Sequence, residues 1–135
     1  MTRFKMIGIE VPEFAIITEK DSIENGSIEN SVQFSYNTEE NIVAVHFTVI
    51  FKEENDVFLK IKIECTFIVE PSDWKVITTK KILPKGFLRH ITFQSVGALR
   101  GILFSKLEKT CYTNLILPPI NVEEMIEDDL SIIIK

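Results

Sequence analysis

The sequence predicts an α+β fold: an antiparallel sheet of about four strands, followed by a long helix and a short second helix packed on one face of the sheet. From residue 31 to residue 69, apolar and polar side chains alternate with a period of two, which is typical of a sheet with one buried face. After Pro84 the apolar residues recur at spacings of three and four, which is typical of an amphipathic helix. Strands that precede helices along the chain indicate the α+β class.

Alternation is clearest in the strand that begins at Val57. Every odd-numbered position from there to Val69 is apolar, whereas Lys60, Lys62 and Glu64 stand at even positions. The enrichment in β-branched and aromatic residues also favours strands. The three strands predicted in this way are 31–36, 42–51 and 57–69.

The borders of the sheet are less regular. Apolar segments at Phe4–Ile9 and Phe14–Thr18 lie on either side of Pro12, and we expect them to form edge strands, where proline is tolerated. A fourth strand or an irregular segment is expected over Trp74–Thr79. The chain is therefore predicted to be one domain, 1–135, with N-terminal edge segments 1–27, a sheet 28–80, a helical part 84–128 and an apolar tail 129–135.

The apolar spacing after Pro84 predicts a long helix over residues 87–107. Gly97 and Gly101 lie inside it, and each glycine costs a helix interior about 1 kcal/mol relative to alanine. We therefore expect this helix to approach another backbone closely at these two positions.

A second, shorter helix is predicted after Asn121, which is a good N-cap residue. Glu124 follows three residues later, at the position that completes a capping box. The predicted helix runs from Val122 to Asp128, and the apolar tail from Ser131 to Lys135 could form a terminal strand.

Composition narrows the function classes. The chain has 135 residues, 45% of them hydrophobic and ten of them Phe, with a net charge of −5. A length of 135 residues suits one domain, and a negative field repels nucleic-acid phosphates. No apolar run approaches the roughly 20 residues of a membrane span, and the N-terminus lacks the apolar core of a signal peptide. We therefore expect no nucleic-acid partner, no membrane insertion and a cytoplasmic protein.

Signals of catalysis or of cofactor binding are absent from the sequence. It contains no phosphate-binding loop, no dinucleotide glycine fingerprint and no nucleophile elbow. His46 lies on the predicted sheet and His90 at the start of the long helix, so no metal-ligand spacing links them. Cys65 is expected to be buried, and reduced thiols are favoured for both Cys65 and Cys111. We expect no enzyme, no catalytic residue, no metal and no cofactor.

The apolar surplus predicts that this subunit shares surface with another chain. The even-numbered face of the sheet mixes polar residues with apolar ones, so burial against a second copy is expected. The alternative is that the N-terminal segments cover that face. The apolar members of this face are Ile42, Ala44, Ile50, Phe58 and Ile68.

Three strings in order resemble the SecB family of export chaperones, and the string Arg100-Gly101-Ile102-Leu103-Phe104 is closer to its divergent SecB-like branch. The first is Val57-Phe58-Leu59 through Val69, which is similar to the third strand of that family. The second is Phe87-Leu88 through Ala98-Leu99-Arg100-Gly101, which is similar to its long helix. The third is Leu117-Pro118-Pro119-Ile120-Asn121-Val122, which resembles the motif that opens its second helix.

This resemblance implies an ATP-independent holdase, which binds unfolded chains in a hydrophobic groove and assembles as a dimer or tetramer. By position, the groove would be lined by residues of the inter-helix loop and the second helix: Tyr112, Leu115, Leu117, Val122 and Met125. Tyr112 and Met125 suit promiscuous contact, because one is amphipathic and the other adaptable. The alternative for all five is a place in the core or in an oligomer interface, and that alternative is favoured for Leu117 and Val122.

The partners remain open between several classes. Glu123, Glu124, Glu127 and Asp128 form either a solvated helix face or an acidic docking patch for a basic partner. The family's acidic contact for the export ATPase SecA falls near Lys60, and its acidic tail is replaced by apolar Leu130–Ile134. The sequence therefore predicts either a general holdase, with a possible link to export, or a non-catalytic oligomeric module with one dedicated partner, such as an antitoxin.

Overall fold

A computed structural model describes residues 1–134 and shows a four-stranded antiparallel sheet with a long helix against one face. The α+β class predicted from the order of strands and helices is confirmed. In chain order the elements are β1 (Phe4–Ile16), β2 (Gly26–Asn37), β3 (Ile42–Glu53), β4 (Asp56–Val69), α1 (Pro71–Lys80), β5 (Ile82–Leu83), α2 (Lys85–Lys106), α3 (Val122–Met125) and β6 (Leu130–Ser131).

The strands lie in the order β1-β4-β3-β2, so β1 and β2 form the two edges of the sheet. The central strands β3 and β4 turn their odd-numbered residues inward, as their alternation predicted. In β3 the side chains from Val43 to Phe51 on this face are almost fully buried, as are those from Leu59 to Val69 in β4. The core therefore lies between this inner face and α2.

The N-terminal segments form one continuous strand rather than two short ones. β1 pairs with β4 over its whole length, and two register shifts interrupt the ladder, one between Met6 and Gly8 and one between Glu10 and Glu13. The second shift accommodates Pro12, which lacks a backbone N–H and is tolerated at an edge. The fourth strand of the sheet is therefore β1, and the sheet spans 4–69 rather than 28–80.

The segment Trp74–Thr79 is helical, so the strand or irregular segment expected there was wrong. Pro71 occupies the start of α1, and the Glu70 carboxylate caps it by accepting the Ser72 N–H at 3.1 Å. Trp74 and Ile77, three residues apart, turn toward the core, and the Trp74 indole N–H donates to the Thr38 carbonyl at 2.8 Å. The cap and the proline start a helix here, whereas the apolar pattern alone had predicted a strand or an irregular segment.

The long helix α2 spans Lys85–Lys106, within two residues of the prediction. Its inner stripe is buried, and the Ser95 hydroxyl donates to the Ile91 carbonyl at 2.8 Å. Close approach at Gly97 and Gly101 was wrong within this chain. Apart from the neighbouring residues of α2 itself, no atom of residues 1–134 lies within 4 Å of the position that a Cβ would take at either glycine.

The second helix is shorter than predicted. The Asn121 side chain accepts the Glu124 N–H at 3.2 Å, which confirms the predicted cap, but α3 ends at Met125 rather than at Asp128. Ile126 leaves helical geometry and buries its side chain in the core. In the tail, the strand is limited to β6, which pairs with β5. Lys135, the last residue of the predicted tail strand, lies outside the described residues.

The outer face of the sheet carries cross-strand ion pairs and is not covered by the N-terminal segments. Lys60 and Glu13 form a cross-strand ion pair at 3.3 Å, and Lys52 and Glu29 form another at 2.6 Å. The N-terminal segments extend the sheet sideways, so the expected cover by them was wrong. Phe58 was expected on this face, but a register shift after Phe51 places it in the core. Ile42, Ile50 and Ile68 are half-buried on the same face, and burial of this face against a second copy stays a prediction.

Cys65 is buried, as predicted, and Cys111 is exposed; both thiols are free. Burial raises the pKa of the Cys65 thiol, which disfavours its reactive thiolate. Among residues 1–134, none of the helices has the length and apolar character that crossing a membrane would require.

Candidate functional site

A row of three adjoining hollows follows the inner face of the edge strand β2. Their volumes are about 380, 440 and 500 Å³. The first two share Ile28 and Pro118, and the last two share Glu124 and Met125, so they form one groove. We call it the β2–α3 groove and define it by Ile28, Val32, Phe34, Leu115, Pro118 and Met125.

The groove is long enough for a short stretch of extended chain. Ile28 and Phe34 mark the outer hollows, and six residue steps at about 3.3 Å each give roughly 20 Å between them. A separate hollow of about 360 Å³ lies beside Phe4 and Pro71 and shares no lining residue with the other three. The groove is therefore an extended concave surface of the described residues.

One wall of the groove offers backbone as well as side chains. In the part of the chain that the structure describes, β2 pairs with β3 alone. The Glu54 N–H donates to the Asn25 carbonyl at 3.2 Å, and the regular register beyond it assigns ladder hydrogen bonds to odd-numbered β2 residues. The backbone groups of Ile28, Asn30 and Val32 therefore point to the free edge, where an extended segment can pair.

The structure divides the five predicted groove residues into two groups. Leu115 and Met125 are half-buried and line the groove. Tyr112, Leu117 and Val122 are 4%, 2% and 7% exposed, so they lie in the core in this conformation. For Leu117 and Val122 this agrees with the alternative raised by the sequence. For Tyr112 it is a departure from the prediction.

Tyr112 is buried by specific contacts at one end of the groove. Its ring stacks on Phe58, with centroids 5.0 Å apart. Its hydroxyl donates to the Thr18 carbonyl at 2.5 Å and accepts the Lys20 N–H at 3.0 Å. Burial raises the pKa of this hydroxyl, which therefore stays protonated and able to donate. Tyr112 thus attaches the β1–β2 connection to the inter-helix loop.

Two arginines of α2 hold the other wall of the groove in place. Arg89 donates to the Ile126 carbonyl at 2.8 Å, and Arg100 donates to the Leu117 carbonyl. Charged donors satisfy carbonyls of irregular backbone, which would otherwise lack partners. Sequence reasoning missed the role of both arginines, although two arginines within a largely apolar helix were a usable signal.

The acidic residues cluster at the end of the groove near α3. Glu124, Glu127 and Asp128 line the third hollow, together with Asp129, whose carboxylate accepts the Lys85 N–H at 2.8 Å. Glu123 is exposed, and its carbonyl accepts from Arg89 at 3.2 Å. Of the predicted docking residues, three are therefore part of the groove. They give this end a negative field that favours basic groups.

A serine, a histidine and a glutamate meet on the outer face of the sheet. The Ser35 hydroxyl lies 2.9 Å from His46 Nε2, whereas Glu64 Oε2 lies 3.7 Å from His46 Nδ1. The second distance is too long for a hydrogen bond, and the hollows described above contain none of the three residues. This geometry suits cross-strand pairing better than nucleophilic catalysis. Within residues 1–134, no three side chains of His, Cys, Asp or Glu come together as a metal-binding group.

Comparison with known proteins identifies a solved structure with a similar fold. No family model matches the chain, and no curated protein matches it. Among solved structures, it is similar to the SecB-like chaperone Rv1957 of Mycobacterium tuberculosis in complex with a ChAD peptide from the antitoxin Rv1956 HigA1. The match covers 88% of this chain and 91% of that one, with a TM-score of 0.51 and 7% sequence identity. The chain therefore has a SecB-like fold, as its strand and helix motifs implied.

Proposed function

We propose that this protein is an ATP-independent holdase, which binds extended apolar segments of unfolded chains in the β2–α3 groove. The single observation that carries the proposal is the groove itself, because it runs along the free edge of β2. An extended segment can place alternate side chains in the hollows and pair its backbone with β2. Burial of apolar surface contributes about 25 cal/mol of binding free energy per Å², and it requires no particular client sequence. The proposal includes no catalytic step.

The walls of the groove support this promiscuity. Leu115 and Met125 present aliphatic surface, and a flexible thioether adapts to different client side chains. The acidic end at Glu124, Glu127 and Asp128 would attract clients with basic residues beside their apolar segment. This proposal gives the predicted acidic patch a defined place, as the end of the groove rather than a separate docking surface.

We also propose that the protein works as a homo-oligomer, with α2 at an interface between copies. Phe93 and Phe104 are 69% and 64% exposed on the outer side of α2, and Gly97 and Gly101 lie between them. All four fall on one stripe of a 3.6-residue helix. The midpoint of the two phenylalanines nearly coincides with that of the two glycines. In an antiparallel pair, Phe93 would therefore meet Phe104 of the second copy across a close glycine contact.

The alternative is a module with one dedicated protein partner. The similar mycobacterial structure is a complex of a SecB-like chaperone with an antitoxin peptide, which supports a partner of that kind. The same groove would bind such a segment, so the two functions differ in selectivity rather than in site. A role in export and an intracellular location remain parts of the proposal; the free thiols of Cys65 and Cys111 are compatible with the latter.

An aggregation assay tests the proposal. Chemically denatured citrate synthase is diluted into buffer without ATP, with and without an equimolar amount of this protein. Suppressed light scattering by the wild type, reduced by Met125→Glu, supports the holdase function. No suppression at a tenfold excess contradicts it. Indifference to several unfolded proteins, combined with tight copurification of a single partner, would favour the dedicated module.

A further inference from the structure

The connection between β1 and β2 covers the aromatic end of the groove. We call residues 17–25 the strap. Its Ile23 side chain lines the first hollow, where Phe51 and Phe58 form the floor. Beside them, Tyr112 stacks on Phe58 beneath Thr18 and Lys20. The strap therefore lies over a cluster of three aromatic rings that continues the groove.

Polar contacts hold the strap closed. Besides its two bonds to the Tyr112 hydroxyl, the strap is tied to Glu53 of β3. One oxygen of that carboxylate accepts from Lys20 Nζ at 3.1 Å, and the other accepts the Glu24 N–H at 3.0 Å. These two donors lower the pKa of Glu53, and the ion pair raises the pKa of Lys20. Two side chains, those of Tyr112 and Glu53, therefore make four of the strap's contacts.

Apolar burial contributes little to closure. Ile17 is 57% exposed, and Ile23 is half-buried. The large apolar groups are underneath: Phe58 is 1% exposed and Tyr112 is 4% exposed. A segment with few buried apolar contacts opens at a lower free energy than the core does. The strap can therefore leave its site while the sheet and α2 stay folded.

We propose that the strap is an autoinhibitory cover, and that clients reach the aromatic end of the groove by displacing the strap from the Phe58–Tyr112 stack. This inference rests on the proposed function of the groove. Opening would expose two adjoining aromatic rings at the end opposite the acidic residues. Opening would also explain why Tyr112 was predicted to line the groove but is buried in the structure, because it would be buried in the closed state and line the groove in the open state.

Tyr112→Phe tests the cover with little change to the core. The variant retains the ring that stacks on Phe58 but removes both hydroxyl contacts to the strap. Tyr36→Phe is the matched control, since the Tyr36 hydroxyl accepts the Ile133 N–H at 2.9 Å away from the strap. Opening is measured by hydrogen exchange at the Lys20 and Glu24 amides. Affinity is measured by fluorescence anisotropy with labelled, reduced and carboxymethylated α-lactalbumin.

We expect Tyr112→Phe to speed exchange at both amides and to tighten binding about fivefold, because apparent affinity scales with the open fraction. Tyr36→Phe should change neither. Faster exchange with unchanged or weaker binding would show that the strap does not compete with clients, which overturns the proposal.

Glu53→Gln provides a second variant, with Glu13→Gln as its control, because Glu13 pairs with Lys60 on the outer face and neither residue lines the groove. If neither Tyr112→Phe nor Glu53→Gln speeds exchange, these contacts do not hold the strap and the proposal falls. Binding by wild type that Met125→Glu abolishes and Tyr112→Phe leaves unchanged overturns the strap alone. Absence of binding by every variant overturns the groove function as well.

Discussion

The β2–α3 groove and the outer stripe of α2 both leave apolar side chains in contact with water, but they differ in shape. The groove is concave, and one of its walls is a strand with free backbone groups. The stripe is convex, with Phe93 and Phe104 at its ends and two glycines between them. A concave surface with free hydrogen-bonding groups suits an extended chain of variable sequence. A convex stripe that is nearly symmetric about its centre suits a second copy of itself.

The largest effect is expected for Met125→Glu, which places a charge in the groove and leaves the stripe unchanged. Burying a side chain of this size contributes about 1.5–3 kcal/mol, so affinity for an unfolded chain should fall ten- to hundredfold. Oligomer size should not change. Val76→Glu is the control, because Val76 is 52% exposed on α1, outside the groove. Anisotropy titrations and sedimentation velocity measure the two outcomes; equal affinity for both variants would contradict the assignment.

The second prediction changes the outer stripe of α2 and leaves the groove intact. Phe93→Glu combined with Phe104→Glu should shift the protein to monomers at micromolar concentration, because like charges would meet across the antiparallel helix pair. Both residues are exposed in the single chain, so the free energy of unfolding of the monomer should change by only about 0.5 kcal/mol. Light scattering coupled to gel filtration measures the mass. An unchanged mass would remove α2 from the interface.

A smaller effect is expected for Gly101→Ala, which should stabilise the monomer but weaken association of the oligomer. In the monomeric double variant, alanine should stabilise α2 by up to about 1 kcal/mol, because nothing in residues 1–134 opposes a Cβ there. In the oligomer, the added methyl should weaken association, because it separates the two helices. Chemical denaturation and dilution series measure the two values. Stabilisation in both backgrounds would show that no helix approaches Gly101.

The smallest effect is the response of the strap to pH. The pKa of Glu53 is lowered in the fold, so its contribution is complete above the usual glutamate range near 4.3 and is lost as the pH falls below it. The pKa of Lys20 is raised, so its contribution persists until the pH rises beyond the usual lysine range near 10.4. Exchange at the Glu24 amide, corrected for intrinsic rates, should therefore be flat between pH 6 and 8. A marked slope in that range would contradict this.

The sequence predicted the centre of the fold better than its borders. Alternation from Val43 to Val69 reflects burial on one face of two central strands, and periodicity reports that burial directly. At the borders, local chemistry decided the outcome. Pro71 and Glu70 start a helix that the apolar pattern does not show, and register shifts around Pro12 join two segments into one strand.

The candidate site was predictable in part. Leu115 and Met125 were predicted from the family resemblance, by their positions in the inter-helix loop and the second helix, and both line the groove. The burial of Tyr112 could not be foreseen, since it depends on backbone groups of Thr18 and Lys20, more than ninety residues away in sequence. Pairings of that range leave no periodic signal.

Hydrogen exchange along β2 would report whether an unfolded client pairs with the free edge of this strand. The amides of Ile28, Asn30, Val32 and Phe34 face the free edge and should exchange quickly in the unliganded protein. Saturation with an unfolded client should slow their exchange at least tenfold, while amides of the opposite edge strand β1 stay unchanged. Client binding with no protection along β2 would show that clients do not bind along this edge.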